Sequence, residues 1–276
     1  MPIACTLQGE DLFLENLHEP WKSQALDLIR RQIGNVDLFL PVSEYYRRFM
    51  GGCLGIPDEK MLVVPLGISL DGYGTRGTHG TRGTSDPAVV GFFGRIAPEK
   101  GLHVLAEAYH LLRQKTAQPL RLVAGGYLGP EHRGYYEGAR TRIRELGLEG
   151  EFTYAGSGDR AHKQSLLRSF DVMSMPATYD EPKGLTLLEA MATGVPVVQP
   201  ARGSFTEIVE KTGGGLLVAP DDPDALAQGL LRVLTDASLA AALSEHGAMG
   251  VRAHYSVDAM ADAAEAAYAK VRGVRG

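Results

Sequence analysis

Between residues 88 and 218 the chain alternates short apolar runs with stretches of helical character, and this alternation constrains the fold more than any other feature. The runs 88–93, 120–124, 151–155, 171–175, 195–199 and 215–218 have the length and composition of strands. Between them lie 101–113, 131–146, 161–168, 185–192 and 204–210, which read as helices. Repeated strand–helix–strand units feed parallel strands through right-handed crossovers. The expected fold class is therefore α/β, a doubly wound parallel sheet of six strands. Two more helices are expected over 223–234, opened by Asp222-Pro223, and over 238–250. A stripe of Val257, Met260, Ala264, Ala267, Tyr268 and Val271 predicts a final helix with something substantial to pack against.

The first seventy residues follow a different plan. Strands are expected at 3–7, 36–40 and 61–65, with helices at 21–33 and 44–50. A complete nucleotide-type half would hold more strands, so this reads as part of a second α/β domain with an unpaired sheet edge, and points to an amino-terminal truncation. The expected division is a partial segment over 1–70, a flexible Gly/Thr-rich connection over 71–87, a ligand-binding domain over 88–255, and a last helix over 256–276 crossing back toward the front. With 276 residues and 44% hydrophobic content, two modest cores can be filled.

Composition excludes several classes of function. A net charge of -5 argues against broad nucleic-acid binding, despite the Arg47-Arg48 pair and the arginines at 140, 142 and 144. Cys5 and Cys53 are too few and too distant for a disulfide framework or metal cluster, which suits reduced thiols in a cytoplasmic protein. The eight histidines show no metal-ligand spacing, so no metal is expected. No run is long enough to span a membrane and the start lacks signal-peptide regions; peripheral contact at the inner membrane face is compatible with both facts.

Two loops carry chemistry. Tyr179-Asp180-Glu181-Pro182-Lys183-Gly184-Leu185 leads from a strand into a helix containing Glu189. Gly184 allows close backbone approach at a helix start, where free N–H groups and the dipole favour a phosphate. Glu181 and Glu189 can accept hydrogen bonds from sugar or ribose hydroxyls. Glu189 sits among Leu187, Leu188, Ala190 and Met191, where an unpaired carboxylate is costly and a ligand hydroxyl would relieve the cost. The second loop, Gly94-Arg95-Ile96-Ala97-Pro98-Glu99-Lys100-Gly101, offers a tight turn at Gly94 and two cations, Arg95 and Lys100, able to reach one diphosphate. Gly125-Gly126-Tyr127 and Gly156-Ser157-Gly158-Asp159 also follow strands and read either as plain turns or as cleft lining.

Four stretches in this order, Val64-Pro65-Leu66-Gly67-Ile68, the loop from Gly94 to Gly101, Glu181 with Glu189, and Leu188-Glu189-Ala190-Met191-Ala192-Thr193-Gly194-Val195-Pro196-Val197-Val198, resemble the family 4 glycosyltransferases. These are retaining transferases of the GT-B fold, and the match is to their Rossmann-like donor domain. The resemblance implies hexosyl transfer in glycan biosynthesis, from a nucleotide-diphosphate sugar to an acceptor that is a sugar, a lipid-linked glycan or a small molecule. It implies that Arg95 and Lys100 hold the diphosphate, that Glu181 contacts the donor sugar, that backbone near Lys183, Gly184 and Leu185 faces sugar or phosphate, and that Glu189 binds ribose. It implies no cofactor and no metal, with the leaving diphosphate helping to deprotonate the acceptor. Two departures stand out: most acceptor-side residues are missing, which leaves room for a partner that supplies them, and Pro182-Lys183 replaces the usual glycine and aromatic. A non-enzymatic nucleotide-sugar binding module is the main alternative, and a nucleotide-sugar epimerase is a weaker one.

Overall fold

The computed structural model of the chain describes residues 2–74 and 86–273; most of the expected Gly/Thr-rich connection, 75–85, lies outside the described residues. The front segment contains β1 (Ala4–Leu7), α1 (Asp11–Glu15), α2 (Trp21–Gln32), β2 (Leu38–Pro41) and α3 (Glu44–Leu54). The remainder runs β3 (Ala88–Phe93), α4 (Leu102–Lys115), β4 (Leu120–Gly125), α5 (Arg133–Glu145), β5 (Phe152–Tyr154), α6 (Arg160–Ser169), β6 (Val172–Met173), α7 (Leu185–Ala192), β7 (Val197–Pro200), α8 (Ser204–Thr212) and β8 (Gly215–Val218). It ends with α9 (Pro223–Thr235), α10 (Ala237–His254) and α11 (Val257–Gly273).

The six large-sheet strands are all parallel and lie in the order β5-β4-β3-β6-β7-β8. The doubly wound expectation holds. Strands β3 and β4 are almost entirely apolar because helices cover them, and α4 turns Leu102, Leu105, Ala106, Tyr109 and Leu112 into the core. Each such leucine contributes on the order of 1.5–3 kcal/mol by leaving water. The helices fall into two groups: α4 packs on α5 and α9, while α7 packs on α6 and α10. Strand order reverses between β3 and β6, and that is where a crevice opens at the carboxyl ends of such a sheet.

In the front segment β1 and β2 pair in parallel. The expected strand at 61–65 is not formed. Met61 makes a single bridge to Phe39, Leu62 N–H donates to Phe39 O and Val64 N–H to Pro41 O, but Pro41 has no N–H to return to Leu62 O, so the ladder stays one-sided. The short helix α1 is an addition that periodicity could not reveal in five residues. Helix α11 lays Ala267 and Val271 against Leu38 and Leu40 of β2. Where α10 gives way to α11 the chain touches the other crossing: Ile68 N–H donates to Tyr255 O at 2.8 Å and Val257 N–H to Ile68 O at 3.2 Å.

Polar contacts at the start of α3 join the front segment to the elements around the large sheet. Ser43 Oγ donates to Pro182 O at 3.0 Å, and the Glu207 carboxylate of α8 accepts from the Glu44 and Tyr45 N–H groups at the start of α3. A carboxylate there satisfies orphan donors and complements the helix dipole. Among the described residues no single helix is long and apolar enough to cross a membrane.

One glycine fixes the approach of the two chemical loops. Gly101 has φ +79 and a Cβ placed on it would lie 1.9 Å from Pro176 O, so the chain after β6 leans directly on the start of α4. Gly101→Ala is expected to cost at least about 2 kcal/mol in urea unfolding, from backbone strain and overpacking. Gly138→Ala, in the open interior of α5 with nothing within 4 Å, is expected to add about 0.5–1 kcal/mol instead.

Candidate functional site

The loop after β3 and the loop after β6 leave neighbouring strands on the same edge. They are fastened to each other by backbone: Thr178 N–H donates to Glu99 O at 3.0 Å, beside the Gly101–Pro176 contact. The junction carries Lys100 and Glu181, whose side chains form a part-buried ion pair. Tyr179 completes it, with its hydroxyl bonded to Glu181 and 2.7 Å from Lys100 Nζ, while the ammonium also stands 4.7 Å from the Tyr179 ring centre. Lys183 N–H points to the other carboxylate oxygen at 3.4 Å.

This surrounding sets the charge of Glu181. Burial works to raise its pKa, but the Lys100 ammonium, the hydrogen bonds from Lys100 and Tyr179 and the Lys183 N–H together outweigh burial, so the carboxyl titrates below the ordinary value of 4.5. Tyr179 moves the other way: burial first, then the Glu181 charge, pushes its hydroxyl well above the usual range. Tyr179 therefore donates to the carboxylate as a neutral phenol.

The remaining predicted residues are divided between two cavities. One, of about 680 Å³, is lined by Gly94, Arg95, Leu185 and Glu189, together with Gly126, Tyr127, Ser157, Gly158 and Asp159. The turns after β4 and β5 thus line the same space as the cation loop. The other cavity, of about 650 Å³, lies against the front segment and is lined by Lys183, Ser43, Ser204 and Tyr255 among others. Gly184 stands between them, left-handed at φ +63, and opens α7. It is followed by Leu185 and Thr186, the first residues of α7, which line the first cavity and whose N–H groups belong to the helix's first turn.

Several placements differ from expectation. Gly94 has no positive φ; what it provides is room, since a Cβ there would lie 2.8 Å from Met175 Sδ. Arg95 and Lys100 have different partners: Arg95 lines the first cavity and is paired with Glu99, whereas Lys100 is paired with Glu181 and Tyr179. Glu189 does not await a ligand to relieve its burial, because Lys163 of α6 meets it at 2.5 Å. Lys183 extends to the front segment, its Cε 3.4 Å from where a Gly9 Cβ would stand. Sequence reasoning passed over Glu99, Tyr179 and Lys163. The first two lie within four residues of predicted groups, so spacing could have raised them; Lys163 is 26 residues from its partner and carries no local signal.

A parallel sheet whose loops gather cations, carboxylates and a helix start around its switch point is shared by many nucleotide-binding α/β proteins, the GT-B glycosyltransferases among them. Residues 81–249 match the family model described as glycosyl transferases group 1, and the chain belongs to that family. It is 32% identical over 189 residues to the lipopolysaccharide core biosynthesis mannosyltransferase LpsB of Rhizobium meliloti strain 1021, covering 66% of this chain and 52% of that protein. It is 33% identical over 213 residues to a D-inositol 3-phosphate glycosyltransferase of Stackebrandtia nassauensis, covering 72% and 47%. The chain spans about half the length of these curated relatives. Among solved structures, HepE from Anabaena in complex with UDP and glucose superposes with a TM-score of 0.81 at 23% identity, over 97% of this chain and 71% of that one. Sucrose-phosphate synthase from Thermosynechococcus elongatus gives 0.79 at 24% identity, over 98% and 68%.

Because the Glu181 pKa falls on folding, its pairing stabilises the protein above the unfolded carboxylate value, and that contribution is lost as pH drops through the lowered folded value. Carbon-13 NMR titration is expected to place the Glu181 midpoint below 4.5 in the native chain and higher in Lys100→Met, which loses the charge and the hydrogen bond that hold it down. An unchanged midpoint in the variant would mean that Lys100 does not control this carboxylate.

Proposed function

We propose that this chain carries the donor site of a retaining, family 4 type glycosyltransferase, which moves a hexosyl group from a nucleotide-diphosphate sugar to an acceptor hydroxyl. The observation that carries this reading is the Lys100–Glu181 junction. The cation assigned to phosphate and the carboxylate assigned to sugar meet at one point, as the bond between a sugar and its phosphate requires. Beside them lies a cavity large enough for a nucleotide, with Arg95 and the α7 amides available to phosphate and Glu189 to ribose. The presence of UDP and glucose in the HepE complex supports the same class of donor.

In the proposed reaction the bond from the sugar's anomeric carbon to the diphosphate breaks, and a bond from the acceptor oxygen forms on the same face. The acceptor proton passes to the departing phosphate. Negative charge grows on the diphosphate as it leaves, so Arg95 and Lys100 stabilise the transition state more than the bound donor. Glu181 fixes the sugar against Lys100, and no metal is required to neutralise the leaving group. Lys183, on the front side of Glu181, stands where the acceptor would approach, and Pro182-Lys183 is the natural place for sugar preference to be set. The acceptor is a sugar, a lipid-linked glycan or a small molecule.

Calorimetry with UDP, GDP and ADP is expected to give binding of at least one, weakened tenfold or more by Arg95→Ala or Lys100→Ala, as suits loss of a charged hydrogen bond worth about 1.5–3 kcal/mol. Absence of binding, or affinity indifferent to both changes, refutes the site assignment. With the matching nucleotide sugar and candidate acceptors, a product of retained anomeric configuration is expected by proton NMR; epimer formation without transfer would favour an epimerase.

A further inference from the structure

The donor cavity contains an ion pair one member of which, Lys163, has no part in the proposed reaction. Lys163 Nζ meets Glu189 Oε1 at 2.5 Å, and both side chains line the cavity, with 28% and 15% of their surfaces exposed. Around Glu189 the helix α7 is apolar, burying Leu187, Leu188, Ala190, Met191 and Ala192. Tyr73 lines the same cavity; burial, then the Glu189 charge and a hydrogen bond to it, raise the pKa of its hydroxyl. Glu189 is thus bracketed by two donors from outside its own helix.

Those donors belong to a single fastened unit. Arg160 of α6 donates to Ser69 O at 3.1 Å and to Asp71 O at 2.9 Å, Gln164 to Asp71 O at 2.8 Å, and Arg168 to Gly72 O at 2.9 Å. The Asp159 carboxylate caps the helix by accepting from His162 N–H at 2.8 Å. Helix α6 and the segment leading to Tyr73 therefore hold each other in place, and Lys163 and Tyr73 with them. A carboxylate has about four acceptor positions, so two protein donors leave places for two ligand hydroxyls.

We infer that Lys163 is a positioning residue for ribose recognition, fixing the Glu189 carboxylate so that its remaining acceptor positions meet the ribose diol of the bound nucleotide. The inference rests on the proposal that Glu189 binds ribose, and goes beyond it by assigning the orientation of that carboxylate to a residue of another helix. A carboxylate held in place before the ligand arrives loses little freedom on binding, so its hydrogen bonds to the diol are gained at smaller entropic cost. A lysine serving only as a cation near the diphosphate would instead strengthen all nucleoside diphosphates alike.

The discriminating measurement compares the tightest-binding of UDP, GDP and ADP with its 2′,3′-dideoxy counterpart by calorimetry. The native chain is expected to prefer the ribose form by about tenfold or more. In Lys163→Met the preference is expected to fall to about twofold, while affinity for the dideoxy form changes by less than about threefold. Lys163→Arg should keep most of the preference, Glu189→Gln should abolish it, and adding Lys163→Met to Glu189→Gln should remove nothing more. Equal weakening of both ligands in Lys163→Met, or a preference that survives it, overturns the role of Lys163 alone. No ribose preference in the native chain overturns the assignment of Glu189 and this inference together.

Discussion

Everything chemical in this molecule depends on β3 and β6 lying side by side where the order of a parallel sheet reverses. Parallel strands must all send their carboxyl ends to one edge, and at the reversal the two following crossovers depart in opposite directions along the sheet. The crevice so formed is a product of topology before any side chain is chosen. Lys100 comes from one departing loop and Glu181 from the other, and they meet because their strands are neighbours. Desolvating such a pair costs about as much as its attraction returns, and an apolar pair of similar volume often does as well for stability. Its worth is therefore sought in recognition, with Tyr179 satisfying both partners.

The junction also separates two environments. On one side, turns after β3, β4 and β5 and the start of α7 surround the larger cavity, where a nucleotide fits the proposed chemistry. On the other, Lys183 and Ser204 face the front segment across the second cavity. Glu207 and Ser43 tie that segment to the loops around Glu181, so the relation between the two spaces is fixed by hydrogen bonds to backbone groups rather than by apolar packing alone.

The large sheet was legible because its strands are short apolar runs separated by helices with apolar faces, and each run needed no distant partner to be recognised. Legibility failed where local pattern and tertiary pairing diverge. The stretch at 61–65 has a strand's composition, yet its pairing stays one-sided because Pro41 of the neighbouring strand has no N–H to donate back. The expected strand at 171–175 contracts to Val172–Met173, with Pro176 close behind. The site showed the same limit. The cation loop and the two glutamates could be found by type and spacing, but which cation faces which carboxylate could not, since Lys163 and Glu189 belong to different crossovers. Glu99 and Tyr179 were within reach of a closer reading of the loops themselves.

The backbone link between the cation loop and the glutamate loop has a consequence for how such a protein can diversify. Thr178 N–H holds Glu99 O, and Gly101 admits Pro176 O so closely that neither segment can shift without the other. Substitutions at 179–184 that move backbone would also displace Lys100. Side chains that project from the pair of loops, such as Lys183, and the turns after β4 and β5 carry no such constraint. The weld between the loops narrows the mutational paths open to the site while leaving its periphery free to change.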